Sequence, residues 1–235
     1  MSLWSTRRRH RAPAADSYVR ARPPSRRTPW REARYSVVDL ELTGLDPRTD
    51  EIISFGAVPI EAGLIGAGRT LYGLARPTRP LPESSVVIHG IRSLDLEKAP
   101  PLDEAMGPLL EAMAGRVLVA HSATVERAFL GAALRRQGAR LREPILDTAV
   151  LGRLLLVDRG DPFPGHLSLG SLAGAMGLPA HHPHHALGDA LTTAQVFLAI
   201  VSHLERRGPE TVGSLARAAA RLENARHYVS RPTVP

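Results

Sequence analysis

Cysteine is missing from this 235-residue chain, and lysine occurs once, at Lys98. Without thiols, disulfides and thiolate metal sites are excluded, so any metal must be held by carboxylates, histidines or backbone oxygen. The absence is compatible with a reducing, cytoplasmic setting. No run of apolar residues approaches the ~18 that span a bilayer, so no membrane partner is expected. Nor does any apolar stretch resemble a secretory signal. Hydrophobic residues nonetheless make up 43% of the chain, enough for one globular domain of ordinary size with a substantial core.

Negative charge is scarce in one region only. Residues 1–34 hold ten arginines against Asp16 and Glu32, a balance of +8, so the net +7 of the whole chain leaves −1 for residues 35–235. The high isoelectric point belongs to the N-terminal segment and does not indicate a basic folded domain. Residues 1–33 are rich in Arg, Pro and Ser and lack apolar periodicity, which predicts a disordered basic arm. Such an arm attracts phosphates without regard to sequence, or docks on a partner. An organelle transit peptide has a similar composition.

From Tyr35 the texture changes. Tyr35 to Leu40 reads as a buried strand and Glu51 to Ile60 as a second, with a turn at Glu61-Ala-Gly63 and a third strand at Arg69 to Ala75, giving a meander. Leu102 to Met113 has helical spacing. Gly115 to Ala120 reads as a short strand, Thr124 to Gln137 as a helix stopped by Gly138, and Ile145 to Asp147 as a strand end entering a helix to about Leu156. Ser168 caps a helix reaching Met176, Ala186 to Arg206 is a long helix with Val196, Phe197 and Ile200 in the core, and Thr211 to Ala225 is another. Residues 158–166 and 178–185 read as loops. Strands first, then alternating helices and strands, imply an α/β domain with a mixed sheet of about five strands flanked by helices.

Three groups of residues carry chemistry. Asp39 and Glu41 stand two apart on the first strand and therefore share a face. Paired carboxylates repel and pay desolvation unless a cation sits between them, although a strand running into solvent would also explain them. Thr43 to Pro47 lets the chain turn sharply away. Asp189 falls in the first turn of the long apolar helix, where it either serves the helix dipole or completes an acidic cluster. His184, five residues earlier, lies in the preceding loop and is suited to accept a proton from water near neutral pH. Between these, Glu126 sits early in a helix that follows a strand and a small-residue turn. A surface salt bridge is its plainer role.

Order and separation make the three groups specific together. The chain resembles the DEDDh exonucleases, the superfamily of the proofreading epsilon subunit of bacterial DNA polymerase III. The D-x-E followed by T-G of that family is matched by Asp39, Glu41, Thr43 and Gly44, and its D-x-I-I-x-x-G-A-V stretch by Asp50 to Val58. Ile88-His89-Gly90-Ile91 is similar to the family's H-G-I segment, which in relatives lies near the bound strand end. The H-x-A-x-x-D-A motif maps to His184 and Asp189. The middle motif, H-N-A-x-F-D, departs: Ser122 stands for the asparagine and Glu126 for the aspartate, one methylene longer. Leu42 stands where a threonine is common. The resemblance covers roughly residues 35–205.

What the resemblance implies is a ribonuclease H-like fold, with residues 34–206 as the exonuclease domain and 207–235 as a C-terminal helix and tail. It further implies hydrolysis at the 3′ end of a strand, DNA favoured, releasing 5′-mononucleotides in repair or proofreading beside a polymerase or repair partner. Two divalent ions, Mg²⁺ or Mn²⁺, would be held by Asp39, Glu41, Glu126 and Asp189, with Asp39 bridging both and His184 as the base. Leu42, Thr43, Gly44, His89, His121 and Ser122 would contact the substrate. The same chemistry on RNA, or a non-catalytic nucleic-acid adaptor, is also open. So are His185 as the base and zinc on the tract His181-His182-Pro183-His184-His185. Asp147 is read as an N-cap.

Overall fold

The computed structural model describes residues 12–142, 144–160 and 167–229. In chain order the elements are α1 (Pro13–Arg20), β1 (Tyr35–Leu42), β2 (Ile52–Glu61), β3 (Leu64–Ile65), β4 (Leu71–Leu74), α2 (Glu83–His89), α3 (Ser93–Leu96), α4 (Leu102–Met113), β5 (Val117–Ala120), α5 (Thr124–Arg136), β6 (Ile145–Asp147), α6 (Thr148–Arg159), α7 (Leu169–Ala175), α8 (Ala186–Leu204) and α9 (Val212–Val229).

Alternation along the strands decides the layering. On β1, Tyr35 and Val37 point into one core with residues of α6, α8 and α9, while Val38 and Leu40 point into the other, with residues of α1, α4 and α5. Nine of the ten residues of β2 are buried, which is why its run is almost continuously apolar rather than alternating. The sheet order is β3-β2-β1-β5-β6, with β4 pairing further along β2. β1 and β2 are antiparallel, whereas β1, β5 and β6 are parallel. The sheet is thus mixed, with six strands rather than about five, and helices cover both faces.

The meander holds. Ala62 and Gly63 both take positive φ, 51° and 70°, the geometry of a two-residue hairpin turn matching strand twist. The third strand begins two residues later than the sequence suggests, because residues 67–69 form a 3-10 turn before β4. Helices α2 and α3 are additional to the elements that the sequence pattern predicts; each is too short to show a period.

Residues 12–33 depart from the expectation of a disordered arm. Tyr18 of α1 is buried among residues of α4, and its hydroxyl accepts the Arg142 amide at 3.1 Å. Trp30 is buried and donates through Nε1 to Glu205 at 2.8 Å. Pro29 bridges to Thr211, and the Trp30 amide reaches the Glu210 carbonyl at 3.1 Å. A few apolar anchors, Ala15, Tyr18, Trp30 and Ala33, are hidden by an average dominated by arginine. Residues 1–11, residues 161–166 of the expected 158–166 loop and residues 230–235 of the expected tail lie outside the described residues.

Helix α8, with the turn after it, is long and apolar enough to cross a membrane by length and composition, but more than half of its most apolar 18-residue window is buried inside the domain. It crosses β1 and β2 and forms the spine of the first core.

Candidate active site

Asp39 and Glu41 lie near the C-terminal end of β1, where the chain leaves the sheet. They pair across to Gly56 and Ser54 of β2, and antiparallel partners put their side chains on one face. That face receives the start of α8. A Cβ on Gly56 would enter the shells of the Ala186 carbonyl and the Leu187 amide, and one on Gly188 would strike the His181 and His182 carbonyls. Two glycines therefore let the first turn of α8 sit on bare strand and bare loop. Asp189 arrives beside the β1 pair. Ligand oxygens of Asp39, Glu41 and Asp189 all lie within 4.8 Å of one another.

Gly56→Ala is expected to lift this turn and cost roughly 1–3 kcal/mol, the range for overpacking a tight contact. Thermal melting, read beside activity, checks it: the loss of activity should exceed the loss of folded protein.

Electrostatics in the cluster are unfavourable without a cation. Burial raises the Asp39 carboxyl well above its ordinary value, and Glu126, Asp189 and Glu41 push in the same direction. Glu41 rises to about 7, mainly from burial and then from Asp189. Glu126, on α5, rises to about 8 because it is buried, with Asp147 adding to the repulsion. Asp189 is also raised by burial, against the opposing pull of the His184 amide and the His184 and His185 rings. Glu41 Oε1 and Glu126 Oε2 are buried with no hydrogen-bond partner. An all-oxygen donor set with unpartnered buried oxygens fits hard divalent ions. Glu126 stands outside the tight trio, coupled to Asp39 by charge.

The loop before α8 is capped reciprocally. The Gly188 amide donates to His185 Nδ1 at 3.4 Å, while the His184 amide donates to Asp189 Oδ2 at 2.9 Å. His185 is thus occupied, and its ring also stacks on Tyr72. His184 is exposed, and no hydrogen bond engages its ring among the described residues, so it is freer than His185 to accept a proton. His181 Nε2 pairs with Gln195 at 3.1 Å. The tract spreads its rings in different directions, and among the described residues no histidine joins a metal-ligand group.

Glu41 is shared between the acidic cluster and a cleft of about 290 Å³. All six residues expected to contact substrate line it: Leu42, Thr43, Gly44, His89, His121 and Ser122. His89 Nδ1 accepts the Ile91 amide at 3.0 Å, so the proton sits on the buried, unpartnered Nε2 as a donor. Burial, then the charge of His184, lowers the pKa of this ring and keeps it neutral. His121 differs in role from its neighbours. Its ring nitrogens meet Thr148 Oγ1 at 3.0 Å and the Leu167 carbonyl at 3.1 Å, so it braces the β5–α5 turn. Ser84, Ser85, Ile88 and Val125 also line the cleft. Ser84, Ser85 and Ile88 ride on α2 with His89; the sequence motif reaches only Ile88 and His89 at its end, which hid the two serines.

Asp147 does more than cap α6. Its carboxylate accepts the Ala149 amide at 2.8 Å, and across the gap the Ser122 and Ala123 amides at 3.2 and 2.9 Å. It ties the turn that launches Glu126 to the next helix. Ser122 takes φ of 62° in that turn, a region asparagine tolerates better than serine. Ser122→Asn is expected to stabilise the protein by about 0.5–1 kcal/mol, a rise of roughly 1–4 °C in Tm; calorimetry decides.

The family described as Exonuclease (RNase_T) matches residues 36–197. The DNA polymerase III subunit epsilon of Aquifex aeolicus is 30% identical over 176 residues, 74% of this chain and 83% of that protein. The DNA polymerase III subunit epsilon-like protein of Rhodobacter capsulatus is 35% identical over 191 residues, but the chain spans only 26% of its length. For the PolC-type polymerase III of Thermotoga maritima that share is 12%. Among solved structures, Exonuclease X in complex with 5′ overhanging duplex DNA superposes with a TM-score of 0.61 at 22% identity, over 79% of this chain and 99% of that one. At that identity the likeness speaks for the fold. With the family model matched from β1 into α8, and a polymerase III epsilon subunit 30% identical over most of its length, the chain belongs to the exonuclease family.

Proposed function

We propose that this protein is a metal-dependent 3′–5′ exonuclease acting on the single-stranded 3′ end of DNA, in repair or proofreading, and releasing 5′-mononucleotides. One observation carries the reading: three carboxylates have mutually close oxygens, and one of them, Glu41, also lines a cleft walled by Leu42, Ile88, Val125 and neutral donors. Apolar walls suit a terminal base, and His89 Nε2 offers a hydrogen bond without adding charge.

Asp39, Glu41 and Asp189 would hold the divalent ions, Mg²⁺ or Mn²⁺, with Glu126 supporting them from α5. When bound, such ions favour hydroxide over water and neutralise charge on the phosphate. His184 removes the proton from the attacking water. The new bond forms between that oxygen and phosphorus, the bond to the 3′-oxygen breaks, and the departing oxygen takes up a proton. The relatives named as polymerase III subunits support a polymerase or repair partner, and the cysteine-free chain suits the cytoplasm.

The test uses matched DNA and RNA oligonucleotides labelled at the 5′ end, with Mg²⁺, Mn²⁺ or chelator. Stepwise shortening of the DNA with either ion, lost on chelation, is expected. Faster shortening of the RNA would move the substrate to ribonucleotides. No metal-dependent shortening of either would favour a binding adaptor.

A further inference from the structure

Asp39, Gly56 and Tyr72 form one row across three strands. Asp39 pairs with Gly56, and Gly56 with Tyr72 on the outer strand β4. Cross-strand partners share a face, so all three look toward α8. The middle of the row is empty of side chain, and the Ala186–Leu187 backbone fills it. To one side of that backbone, Asp189 joins the acidic cluster. To the other, the His185 ring lies on Tyr72, with centroids 4.6 Å apart and planes within 16°.

The loop leading here is strained. His182 and His184 take φ of 39° and 61°, conformations that persist only where the surroundings over-determine them. Beyond the Asp189 contact, the tie nearest His184 is its neighbour, His185, held by the Gly188 amide and by Tyr72.

We propose that Tyr72 is a positioning residue, which together with His185 clamps the first turn of α8 over the gap at Gly56 and so sets His184 and Asp189 against Asp39. Tyr72 is 39% exposed, so its ring serves the loop rather than the core. It touches neither metal site nor substrate cleft, and its effect passes through His185. The inference rests on the roles given above to His184 and Asp189.

The test compares Tyr72→Ala, Tyr72→Phe, His185→Ala and the Tyr72→Ala/His185→Ala double variant. Two readouts are taken: kcat and KM on single-stranded DNA, and amide hydrogen exchange at residues 184–189 of the metal-free protein. Tyr72→Ala is expected to lower kcat about ten-fold with KM little changed, as a small misplacement of reacting groups does. It should also speed exchange of the His184 and Asp189 amides while leaving β1 unaffected. Tyr72→Phe should restore both, since stacking needs the ring and not the hydroxyl. The double variant should be no worse than the poorer single, the mark of a shared contact. Unchanged exchange in Tyr72→Ala, or no rescue by Tyr72→Phe, overturns the clamp. If the unmodified protein cleaves nothing, the nuclease reading fails, and the exchange data still decide whether the clamp exists.

Discussion

Replacing Asp39 with Asn should reduce metal-dependent hydrolysis by about 10³-fold or more, some 4 kcal/mol of transition-state stabilisation, while making the metal-free protein harder to melt at pH 8. Asp39 sits at the centre of the cluster: Glu126, Asp189 and Glu41 all raise its pKa in addition to burial. Without a cation the folded state must either protonate this group or tolerate its charge beside the others. Asparagine keeps the shape and removes that cost. A gain of about 1–2 kcal/mol is expected, within the range seen when a buried charge is replaced by a neutral group, or roughly 2–8 °C. Differential scanning calorimetry with chelator present, beside a cleavage assay, tests both halves. A variant that loses stability and keeps activity would place the metal elsewhere.

The second large effect concerns pH. Glu41 and Glu126 titrate near 7 and 8 in the folded protein, against an ordinary 4.5. Groups whose pKa is raised by folding bind protons more tightly in the native state. Their stabilising contribution is complete below about 4.5 and disappears as pH climbs through 7 to 8. Glu61 runs the other way: Arg69 and Arg116 hold its carboxyl down to about 2, so its contribution exists above 4.5 and is lost on acidification. The metal-free protein should therefore be most stable near pH 5, and less so at pH 8. Adding Mg²⁺ or Mn²⁺ should reverse the trend, because ions compete with protons for the same oxygens. Melting curves at pH 5 and pH 8, with and without metal, are expected to show a much larger metal-induced rise at pH 8. An equal rise at both would show that the carboxylates are not the binding groups.

Much of this arrangement was legible in the sequence for physical reasons. Strand alternation puts Asp39 and Glu41 on one face, and the helical run after His185 places Asp189 in a first turn. Neither signal contains the distance between them. That depends on Gly56 and Gly188 having no Cβ, which a sequence records only as two small residues. Glu126 was visible as a departure from a pattern, but its burial without a partner was not. Asp147 showed its cap, a local feature, and hid its reach to Ser122 and Ala123, some 25 residues earlier. Helix α2 escaped because Glu83 to His89 is too short for a period to emerge, and with it went Ser84 and Ser85, although Ile88 and His89 at its end were legible as a motif. The early arginine-rich stretch misled in the opposite direction, since Tyr18 and Trp30 are too few to alter its average.

That same stretch bears on the order in which the chain assembles. Trp30 finds its acceptor at Glu205, and Pro29 its partner at Thr211, so the two are joined across more than 170 positions of sequence. During synthesis from the N-terminus, residues 28–31 emerge long before Glu205 and Thr211. The Gly63 turn, which lies against Trp30 and Arg31, follows soon, but their shared carboxylate acceptor, Glu205, comes only after α8. Closing so large a loop is entropically slow. The final latch of the domain is therefore supplied by some of its earliest residues.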